Sequence, residues 1–419
     1  MKVLLIEGGH PLSGSVRIQG AKNSVLPILA ATVLAHGTCT VHNCPDLTDV
    51  FHTMDILRCL GCRVDREGDT VTVDASAPTG FSIPDDLMRE MRSSVIFLGP
   101  ILGRMGRAEL SYPGGCELGP RPIDLHLHAL RALGAQVSEQ SGRLLFSGRL
   151  TGADVTLSLP SVGATENAML AAVCADGVTT ITNAAREPEI VDLQTFLNTM
   201  GADVRGAGSS VISVRGGRPL HGGEHTVMAD RIVCATYLSA VASAGGEGEL
   251  TGADWRQLSP VTTVLAEAGC AVRSTEDTIH IAAPRRLRAT RQIRTAPYPG
   301  FPTDAQALVM AALCKAEGAT VFVENMFDSR YRHVDELARM GADIRVEGRV
   351  AVVYGVPRLT GARVRSTDLR GGAALAVAAL GAEGESVISN LAHIDRGYAS
   401  LEKDLEALGG HVIRQEIIE

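Results

Sequence analysis

Six copies of one short motif constrain the fold of this 419-residue chain more than any other feature. The motif reads Leu-x-x-apolar-Gly-small-x-Val, with close variants, and its copies follow one another at intervals of roughly 70 residues. The copies are Leu57–Val64, Leu130–Val137, Leu197–Val204, Leu265–Val272, Leu337–Ile344 and Leu405–Val412. Self-similarity at a fixed period is typical of repeated structural units, so the sequence predicts six units that together account for the chain.

Each unit is predicted to contain the elements βαβαββ, with its second helix ending at the repeated glycine in a left-handed C-cap. Units of this size and variability favour globules of three repeats over a long solenoid, so the predicted class is α/β. The clearest predicted first strands are Ser15–Gln19, Asp154–Leu159 and Arg363–Ser366, and the clearest first helices are Ala164–Ala175 and Gly372–Ala382. Predicted second strands include Val178–Thr182 and Thr320–Glu324, and one predicted closing pair is Cys62–Val64 with Thr70–Val73.

Composition argues against two classes of protein, nucleic-acid binders and membrane-inserted proteins. The net charge of −8 and the aromatic content of 4% argue against a general nucleic-acid binder, which needs a basic surface and stacking platforms. The longest apolar stretch, Val25–Ala35, contains a proline and is too short to span a bilayer, and Met1–Gly8 lacks a signal-peptide core. We therefore expect a soluble, cytoplasmic protein with no membrane insertion.

The nine cysteines are odd in number and scattered, which favours reduced, mostly buried thiols over a disulfide framework. Cys59 and Cys62 have the spacing of half a zinc site, but no second pair follows at zinc spacing. We therefore expect neither a metal nor a cofactor. A P-loop and a dinucleotide-binding glycine fingerprint are also absent from the sequence, which argues against NTPase and dinucleotide chemistry.

Cys116 lies in a glycine- and proline-rich loop, Pro113–His128, that leads into an apolar helical pattern. A thiol on such a loop, five residues before Arg121, suits an acid or a nucleophile whose pKa a neighbouring guanidinium lowers. A surface cysteine in a hairpin is the other interpretation, and the stretch alone does not separate the two.

Cationic side chains recur just before or at predicted helix starts, at Lys22, Arg92, Arg121, Arg370 and Arg396. Helix capping explains Ser, Thr and Asp at such positions but not Lys or Arg, which oppose the helix dipole. In an acidic chain, this basic cluster predicts a site for a small ligand with several negative charges. Asp304 follows a rigid Tyr-Pro-Gly-Phe-Pro-Thr segment and is either a general base or an N-cap.

The sequence resembles the enolpyruvyl transferases that act on UDP-N-acetylglucosamine, and the resemblance extends from end to end. The motifs that carry it are Ser15–Asn23, Met91–Ser94, Pro113–His126, Ser161–Asn167, Asn183–Ile190, Phe301–Asp304, Thr367–Arg370 and His393–Tyr398. The resemblance implies two inside-out α/β barrel-like globules of three repeats each, facing one another across a cleft. It places residues 22–229 in the first, catalytic-loop globule and residues 1–21 and 230–419 in the second.

The resemblance also implies an EC 2.5.1 reaction. An enolpyruvyl group moves from phosphoenolpyruvate to the 3-hydroxyl of UDP-N-acetylglucosamine with release of phosphate, the first committed step of peptidoglycan precursor synthesis. By matched position, Cys116 is the general acid and the target of fosfomycin, Asp304 accepts the hydroxyl proton, and Lys22, Arg121 and Arg396 hold phosphoenolpyruvate. The resemblance also places Asn23 and Arg92 beside both substrates, Met326 near the sugar nucleotide, and Asp368 and Arg370 in a supporting polar network. The implied contacts to the uridine diphosphate are Arg121, Pro122, Ile123, Asp124, Leu125, Ser161, Val162 and Gly163.

The chain departs from the family pattern at three positions. Val233 stands where a glutamate is usual, Leu159 where some members have lysine, and Gly371 where alanine is more common.

The sequence leaves two alternative functions open. A sister enzyme acting on shikimate 3-phosphate is disfavoured by the loop cysteine. A catalytically weak copy that binds the sugar nucleotide and regulates the pathway is supported by Val233 and Leu159 alone.

Overall fold

The computed structural model describes residues 2–112 and 123–417. These residues form two compact units. We call residues 20–112 and 123–228 the inserted unit, and residues 2–19 and 229–417 the terminal unit, because the latter contains both ends of the described chain. Each unit contains three sheets and the helices that connect their strands.

The elements are numbered in chain order. The strands are β1 (Lys2–Gly8), β2 (Leu12–Arg17), β3 (Thr38–His42), β4 (Arg63–Glu67), β5 (Thr70–Asp74), β6 (Arg107–Ser111), β7 (Gln136–Gln140), β8 (Arg143–Ser147), β9 (Asp154–Thr156), β10 (Val178–Thr182), β11 (Asp203–Arg205), β12 (Val211–Arg215), β13 (Glu224–Thr226), β14 (Gly246–Thr251), β15 (Ala271–Ser274), β16 (Thr278–Ala283), β17 (Ile293–Arg294), β18 (Ala319–Val323), β19 (Asp343–Glu347), β20 (Val350–Tyr354), β21 (Arg363–Arg365), β22 (Gly384–Ser389) and β23 (His411–Glu416). The α-helices are α1 (Lys22–Ala31), α2 (Thr48–Cys59), α3 (Asp85–Glu90), α4 (Leu98–Met105), α5 (Asp124–Ala132), α6 (Val162–Ala172), α7 (Pro188–Thr199), α8 (Arg231–Ala244), α9 (Ser259–Glu267), α10 (Thr303–Leu313), α11 (Val334–Arg339), α12 (Leu369–Leu380) and α13 (Leu401–Ala407). Short 3-10 helices cover Thr32–Leu34, Arg92–Phe97, Trp255–Leu258 and Leu391–Arg396.

The sheets share one strand order. In each four-stranded sheet the first and second strands of a repeat are parallel neighbours, and a helix precedes the second strand. The fourth strand lies between the second and third strands and is antiparallel to both. The orders are β13-β3-β5-β4 and β9-β10-β12-β11 in the inserted unit, and β2-β14-β16-β15, β17-β18-β20-β19 and β21-β22-β1-β23 in the terminal unit. A further sheet, β6-β8-β7, has a single parallel bridge from Ser82 to Glu109 in place of its first strand. The predicted βαβαββ repeat is thus confirmed in the five units with four-stranded sheets, and the sixth has a single bridge where its first strand was expected.

Three repeats take a strand from a distant part of the chain. β2 pairs in parallel with β14, so it belongs to the repeat of α8, and the first strand of the α1 repeat is β13. The prediction that Ser15–Gln19 begins the repeat of the helix that follows it was therefore wrong in both bounds and pairing. β1 closes the last repeat by pairing with β22 and β23.

The repeated glycines confirm the predicted left-handed C-caps. Their φ angles are 89° at Gly61, 96° at Gly134, 97° at Gly201, 109° at Gly269, 93° at Gly341 and 84° at Gly409. The residue after each glycine donates its backbone N–H to the carbonyl five residues earlier, for example Cys62 to Leu57 at 3.0 Å. This is the Schellman arrangement, which satisfies helix carbonyls that lack an intrahelical donor.

Alanine-rich helices form the centre of each unit. In the terminal unit α8, α10 and α12 pack against one another, and nearly all of their residues are buried. In the inserted unit α6 is similarly buried and packs on α4. A helix that is apolar on all sides is stable only in a core, and small alanines let helices pack closely. This is the two-domain inside-out barrel fold, with helices inside and sheets outside. None of the helices in the described residues is long and apolar enough to cross a membrane.

Candidate active site

Lys22 and Asp49 form a buried ion pair in the inserted unit. Lys22 is the first residue of α1, only 7% exposed, and its Nζ lies 2.8 Å from an Oδ atom of Asp49, which is 1% exposed near the start of α2. Taking an ammonium out of water requires such a counter-charge. Asn23, the next residue, is exposed. The structure thus holds the predicted cation in a fixed position at a helix start.

Arg92 and His126 lie close enough to interact. Arg92 begins the 3-10 helix Arg92–Phe97 and is half-buried. The pKa of His126 is lowered to about 4, first by burial and then by the Arg92 guanidinium, while Asp124 opposes the shift. Asn167 Nδ2 donates to His126 Nδ1 at 2.8 Å, so the proton of the neutral ring lies on Nε2. The Nε2 atom is then a neutral donor beside a cation.

The start of α6 lies beside that imidazole. A Cβ added to Gly163 would be 3.0 Å from His126 Cε1 and 3.3 Å from Nε2, so glycine allows the close approach. Ser161 caps the helix by accepting from the N–H of Ala164 at 3.4 Å, and Val162 is half-buried. On the neighbouring α5, Ile123 is buried, Asp124 is exposed and Leu125 is half-buried. The predicted diphosphate contacts Ser161–Gly163 and Ile123–Leu125 therefore lie on two helix starts joined by His126.

Three predicted site residues, Cys116, Arg121 and Pro122, lie outside the described residues. Leu159, one of the departures from the family pattern, is 66% exposed and lies two residues before the Ser161 cap. An exposed leucine at this position supplies apolar surface where some relatives place a charge.

A cluster of carboxylates lies under the same helix. Glu166 of α6 is buried, and its pKa is raised well above 4.5 by burial and then by Glu189 and Glu187. Desolvation and like charge both disfavour ionisation, so the fold favours the protonated form of Glu166. Glu166 is not among the site residues predicted from the sequence. Its position one turn into an apolar helix is the signal that was available.

In the terminal unit, Asp304 lies between two buried guanidinium groups. It is the second residue of α10, with 29% of its side chain exposed. Its Oδ1 lies 2.7 Å from Arg330 Nη2 and its Oδ2 3.7 Å from Arg370 Nη2, and both arginines are at most 3% exposed. Arg330 also donates twice to the carbonyl of Thr303, each time at 3.2 Å. The two cations fix the carboxylate while leaving part of it open.

Arg370 is held by a buried polar network. Its Nη1 donates to Tyr398 Oη at 3.2 Å, and that hydroxyl lies 2.7 Å from Thr236 Oγ1. Burial lowers the pKa of Arg370, but Tyr398, Asp304 and Asp230 together raise it by more, so the net shift is upward. The guanidinium therefore stays charged in the core.

Asp368 acts as the N-cap of α12. It accepts from the backbone N–H of Arg370 at 3.1 Å and of Gly371 at 3.0 Å, and its Oδ1 lies 3.9 Å from Arg330 Nη1. A Cβ added to Gly371 would be 2.6 Å from Asp368 Oδ2 and 3.1 Å from the Cβ of His333. The glycine that departs from the family pattern thus accommodates this orientation of the capping carboxylate.

Glu324 holds the turn that carries Met326. This buried carboxylate accepts from the N–H of Met326 at 2.7 Å and of Phe327 at 3.1 Å, and from Thr303 Oγ1 at 3.0 Å. Met326 itself is 37% exposed. One side chain therefore ties the predicted sugar-nucleotide contact to the start of α10. Neither Glu324 nor Arg330 is among the site residues predicted from the sequence.

The turn containing Arg396 is fixed by Gln19. Arg396 ends the 3-10 helix Leu391–Arg396 and is half-buried. Gln19 donates to the carbonyl of Gly397 at 3.2 Å and accepts from the N–H of Ala399 at 2.9 Å. The preceding Asp395 is bound by Arg414 Nη2 at 2.6 Å, which neutralises the carboxylate next to the predicted anion-binding cation.

Asp230 and Val233 at the start of α8 are explained by local structure. Asp230 caps the helix by accepting from the backbone N–H of Ile232 at 2.8 Å and of Val233 at 3.0 Å. Val233 is fully buried in the apolar core, where a glutamate would need a partner.

Comparison with known proteins places these features in a family. The model of the EPSP synthase (3-phosphoshikimate 1-carboxyvinyltransferase) family matches residues 6–405. The chain belongs to this family. Its members are enolpyruvyl transferases, and the chain is a transferase of that class.

Individual relatives of this enolpyruvyl transferase agree with the match. The chain is 50% identical over 410 residues to UDP-N-acetylglucosamine 1-carboxyvinyltransferase 2 of Caldanaerobacter subterraneus subsp. tengcongensis, covering 98% of each chain. It is 28% identical to the solved enolpyruvyl transferase NikO from Streptomyces tendae, with a TM-score of 0.88 and coverage of 99% and 98%. A solved EPSP synthase from Acinetobacter baumannii, at 19% identity, a TM-score of 0.75 and coverage of 99% and 100%, shares the fold.

Proposed function

We propose that this enzyme transfers the enolpyruvyl group of phosphoenolpyruvate to the 3-hydroxyl of UDP-N-acetylglucosamine and releases phosphate. The observation that carries the proposal is 50% identity over nearly the whole chain to a relative named for that activity. By contrast, identity to the solved EPSP synthase is 19%. Sequence likeness of this extent favours the sugar nucleotide over shikimate 3-phosphate as acceptor.

The geometry supports Asp304 as the base. Arg330 and Arg370 hold its carboxylate at the start of α10, and the side chain is partly open. A general base must be fixed within reach of the proton that it accepts. Asp304 takes the proton from the sugar 3-hydroxyl as that oxygen bonds to the central carbon of phosphoenolpyruvate.

The thiol of Cys116 supplies the other proton. It protonates the methylene carbon of phosphoenolpyruvate, which becomes a methyl group while the adjacent carbon accepts the sugar oxygen. The resulting tetrahedral intermediate then loses phosphate and one methyl proton, which restores the double bond in the product. Protons and leaving group balance over the two steps, with phosphate as the only by-product.

The cations hold the anionic groups through this sequence. Lys22, fixed by Asp49, and Arg396, fixed by the Gln19-bound turn, join Arg121 in holding the phosphate and carboxylate of phosphoenolpyruvate. Charges preorganised by buried partners stabilise a developing anion without reorganising during the reaction. Arg92 and the neutral His126 face the sugar nucleotide beside the α6 start.

We assign the catalytic-loop globule of the family to the inserted unit and its partner globule to the terminal unit. Because phosphoenolpyruvate and UDP-N-acetylglucosamine are cytoplasmic metabolites, the reaction belongs in the cytoplasm, where it opens the synthesis of peptidoglycan precursors.

The test is phosphate release from phosphoenolpyruvate with no acceptor, with UDP-N-acetylglucosamine and with shikimate 3-phosphate. Release that requires UDP-N-acetylglucosamine, and is lost in Cys116→Ala, is the expected result. Release with shikimate 3-phosphate instead would assign the chain to the sister reaction. Binding of UDP-N-acetylglucosamine without any release would favour the regulatory copy.

A further inference from the structure

Glu7, His10 and His411 of the terminal unit bring three metal-ligating side chains together on the outer sheet. Glu7 lies near the end of β1, His10 lies in the turn after it, and His411 is the first residue of β23. One ligand atom of each lies within 4.8 Å of the others. The enolpyruvyl transfer uses none of these residues.

Each imidazole nitrogen lies near a different oxygen of Glu7, at a distance longer than a direct hydrogen bond. His10 Nε2 lies 3.6 Å from Glu7 Oε1, and His411 Nδ1 lies 3.5 Å from Glu7 Oε2. Hydrogen bonds between nitrogen and oxygen are usually shorter, at about 2.7–3.2 Å. Two ligand atoms bound to a tetrahedral zinc at about 2.1 Å each are separated by roughly 3.4 Å.

The backbone holds the three residues in this arrangement. Glu7 and His411 are directly opposite in the antiparallel β1–β23 pair. The turn before His10 is fixed, since the N–H of Gly9 donates to Leu380 at 3.0 Å and a Cβ at Gly8 would lie 2.0 Å from the carbonyl of Ala379. The two imidazole rings lie against each other with centroids 4.6 Å apart. Sites on rigid elements lose little entropy when they bind an ion.

Charge on the neighbouring strand also favours a cation. Glu385 of β22 is directly opposite Glu7 on the other side of β1 and is exposed, so two carboxylates lie side by side on one face. Like charges directly opposite one another destabilise a sheet. A divalent ion at Glu7 relieves this repulsion.

We propose that Glu7, His10 and His411 bind a divalent ion of the zinc class. Two imidazole nitrogens and one carboxylate are ligands that suit zinc, and the exposed fourth position remains for water or Glu385. The bound ion links the N-terminal strand β1 to the C-terminal strand β23. Its effect is structural, because the ligands lie on the sheet and not at Asp304 or Lys22.

The test is a calorimetric titration of the untagged full-length protein with Zn²⁺, with Mg²⁺ as a control ion. We expect Zn²⁺ binding that His10→Ala and His411→Ala each weaken by at least about tenfold. His280→Ala is the matched control, because His280 lies opposite Glu249 at 3.6 Å in a sheet of the same order. This variant should bind as the wild type does. Equal affinity in all four proteins would overturn the proposal.

A second readout separates this site from the thiols. Co²⁺ substituted for Zn²⁺ should show visible d–d absorption without a thiolate charge-transfer band, and the absorption should vanish in His411→Ala. A thiolate band that persists in that variant would assign the ion to cysteines and contradict the proposal. Circular dichroism in the absence of metal checks that each variant is folded. Because binding is measured directly, failure here leaves the proposed transferase activity unaffected.

Discussion

Asp304 is the residue on which the acid–base account depends. Its carboxylate contacts Arg330 and Arg370, and because both guanidinium groups are buried, Asp304 also supplies counter-charge to them. An ordinary N-cap accepts backbone N–H bonds, as Asp368 and Asp230 do in this chain. Asp304 is instead oriented by guanidinium groups, which suits a base that must keep one geometry.

Replacing Asp304 with asparagine should therefore abolish most turnover while leaving sugar-nucleotide binding in place. A positioned general base contributes about 100-fold or more to a rate, so we expect kcat to fall by that factor. Asp343→Asn, a change at an exposed carboxylate on β19, is the control and should retain full activity. Wild-type phosphate release by Asp304→Asn would remove this residue from the chemistry.

Glu166 provides a prediction about pH and stability. Because burial and then Glu189 and Glu187 raise its pKa in the folded protein, the folded state holds this proton at pH values where the unfolded chain releases it. Its stabilising contribution is complete below about pH 4.5, the ordinary pKa of glutamate, and is lost as pH rises through the raised pKa.

Glutamine, which is neutral at every pH, should remove that loss. We expect the unfolding free energy of Glu166→Gln, measured in denaturant between pH 5 and pH 9, to fall less with pH than that of the wild type. Glu267→Gln, at an exposed position, should follow the wild-type curve. Parallel curves for Glu166→Gln and the wild type would show that Glu166 ionises freely in the fold.

The C-terminal ends of the second helices are the features that the sequence predicted most accurately. The glycine at the end of the second helix in every repeat has a positive φ, which other residues adopt only with strain. What differs among the copies is the space around the glycine. Nothing lies within 4 Å of a Cβ added to Gly341, whereas a Cβ at Gly409 would lie 2.9 Å from the carbonyl of Ser13.

Alanine at these two positions should separate backbone strain from steric contact. Gly341→Ala should reduce the unfolding free energy by about 1–2 kcal/mol, the cost of a left-handed conformation. Gly409→Ala should reduce it by more, because the backbone of β2 must also move. Denaturant unfolding measures both, and equal losses would mean that the contact with Ser13 relaxes freely.

At the scale of the whole molecule, local sequence patterns predicted the repeat but not which distant strands complete its sheets. The glycine motif and the alternation of helices and strands were sufficient to predict six βαβαββ units. The pairing of β2 with β14 and of β13 with β3 joins residues about 200 positions apart, and no local pattern encodes such a partner. The family resemblance supplied the expectation that the first strands join the later part of the chain.

The same limit applies to the site. Motifs identified Lys22, Asp304 and Arg370 because cations and acids at helix starts stand out in a sequence. Arg330, Glu324 and His126 were not predicted as site residues, since their importance comes from which side chains they contact after folding. Buried charges are costly unless paired, and the pairing is visible only in three dimensions.

The most direct test of the account is to incubate the enzyme in deuterium oxide with phosphoenolpyruvate, UDP-N-acetylglucosamine and shikimate 3-phosphate. The product is then analysed by mass spectrometry and NMR. Addition followed by elimination passes through a methyl group, so loss of one of its hydrogens leaves deuterium in the vinyl group of enolpyruvyl-UDP-N-acetylglucosamine. We predict that product, with deuterium in its methylene carbon. The same product with no deuterium would contradict the protonation step, and an enolpyruvyl shikimate 3-phosphate as the only product would contradict the proposed acceptor.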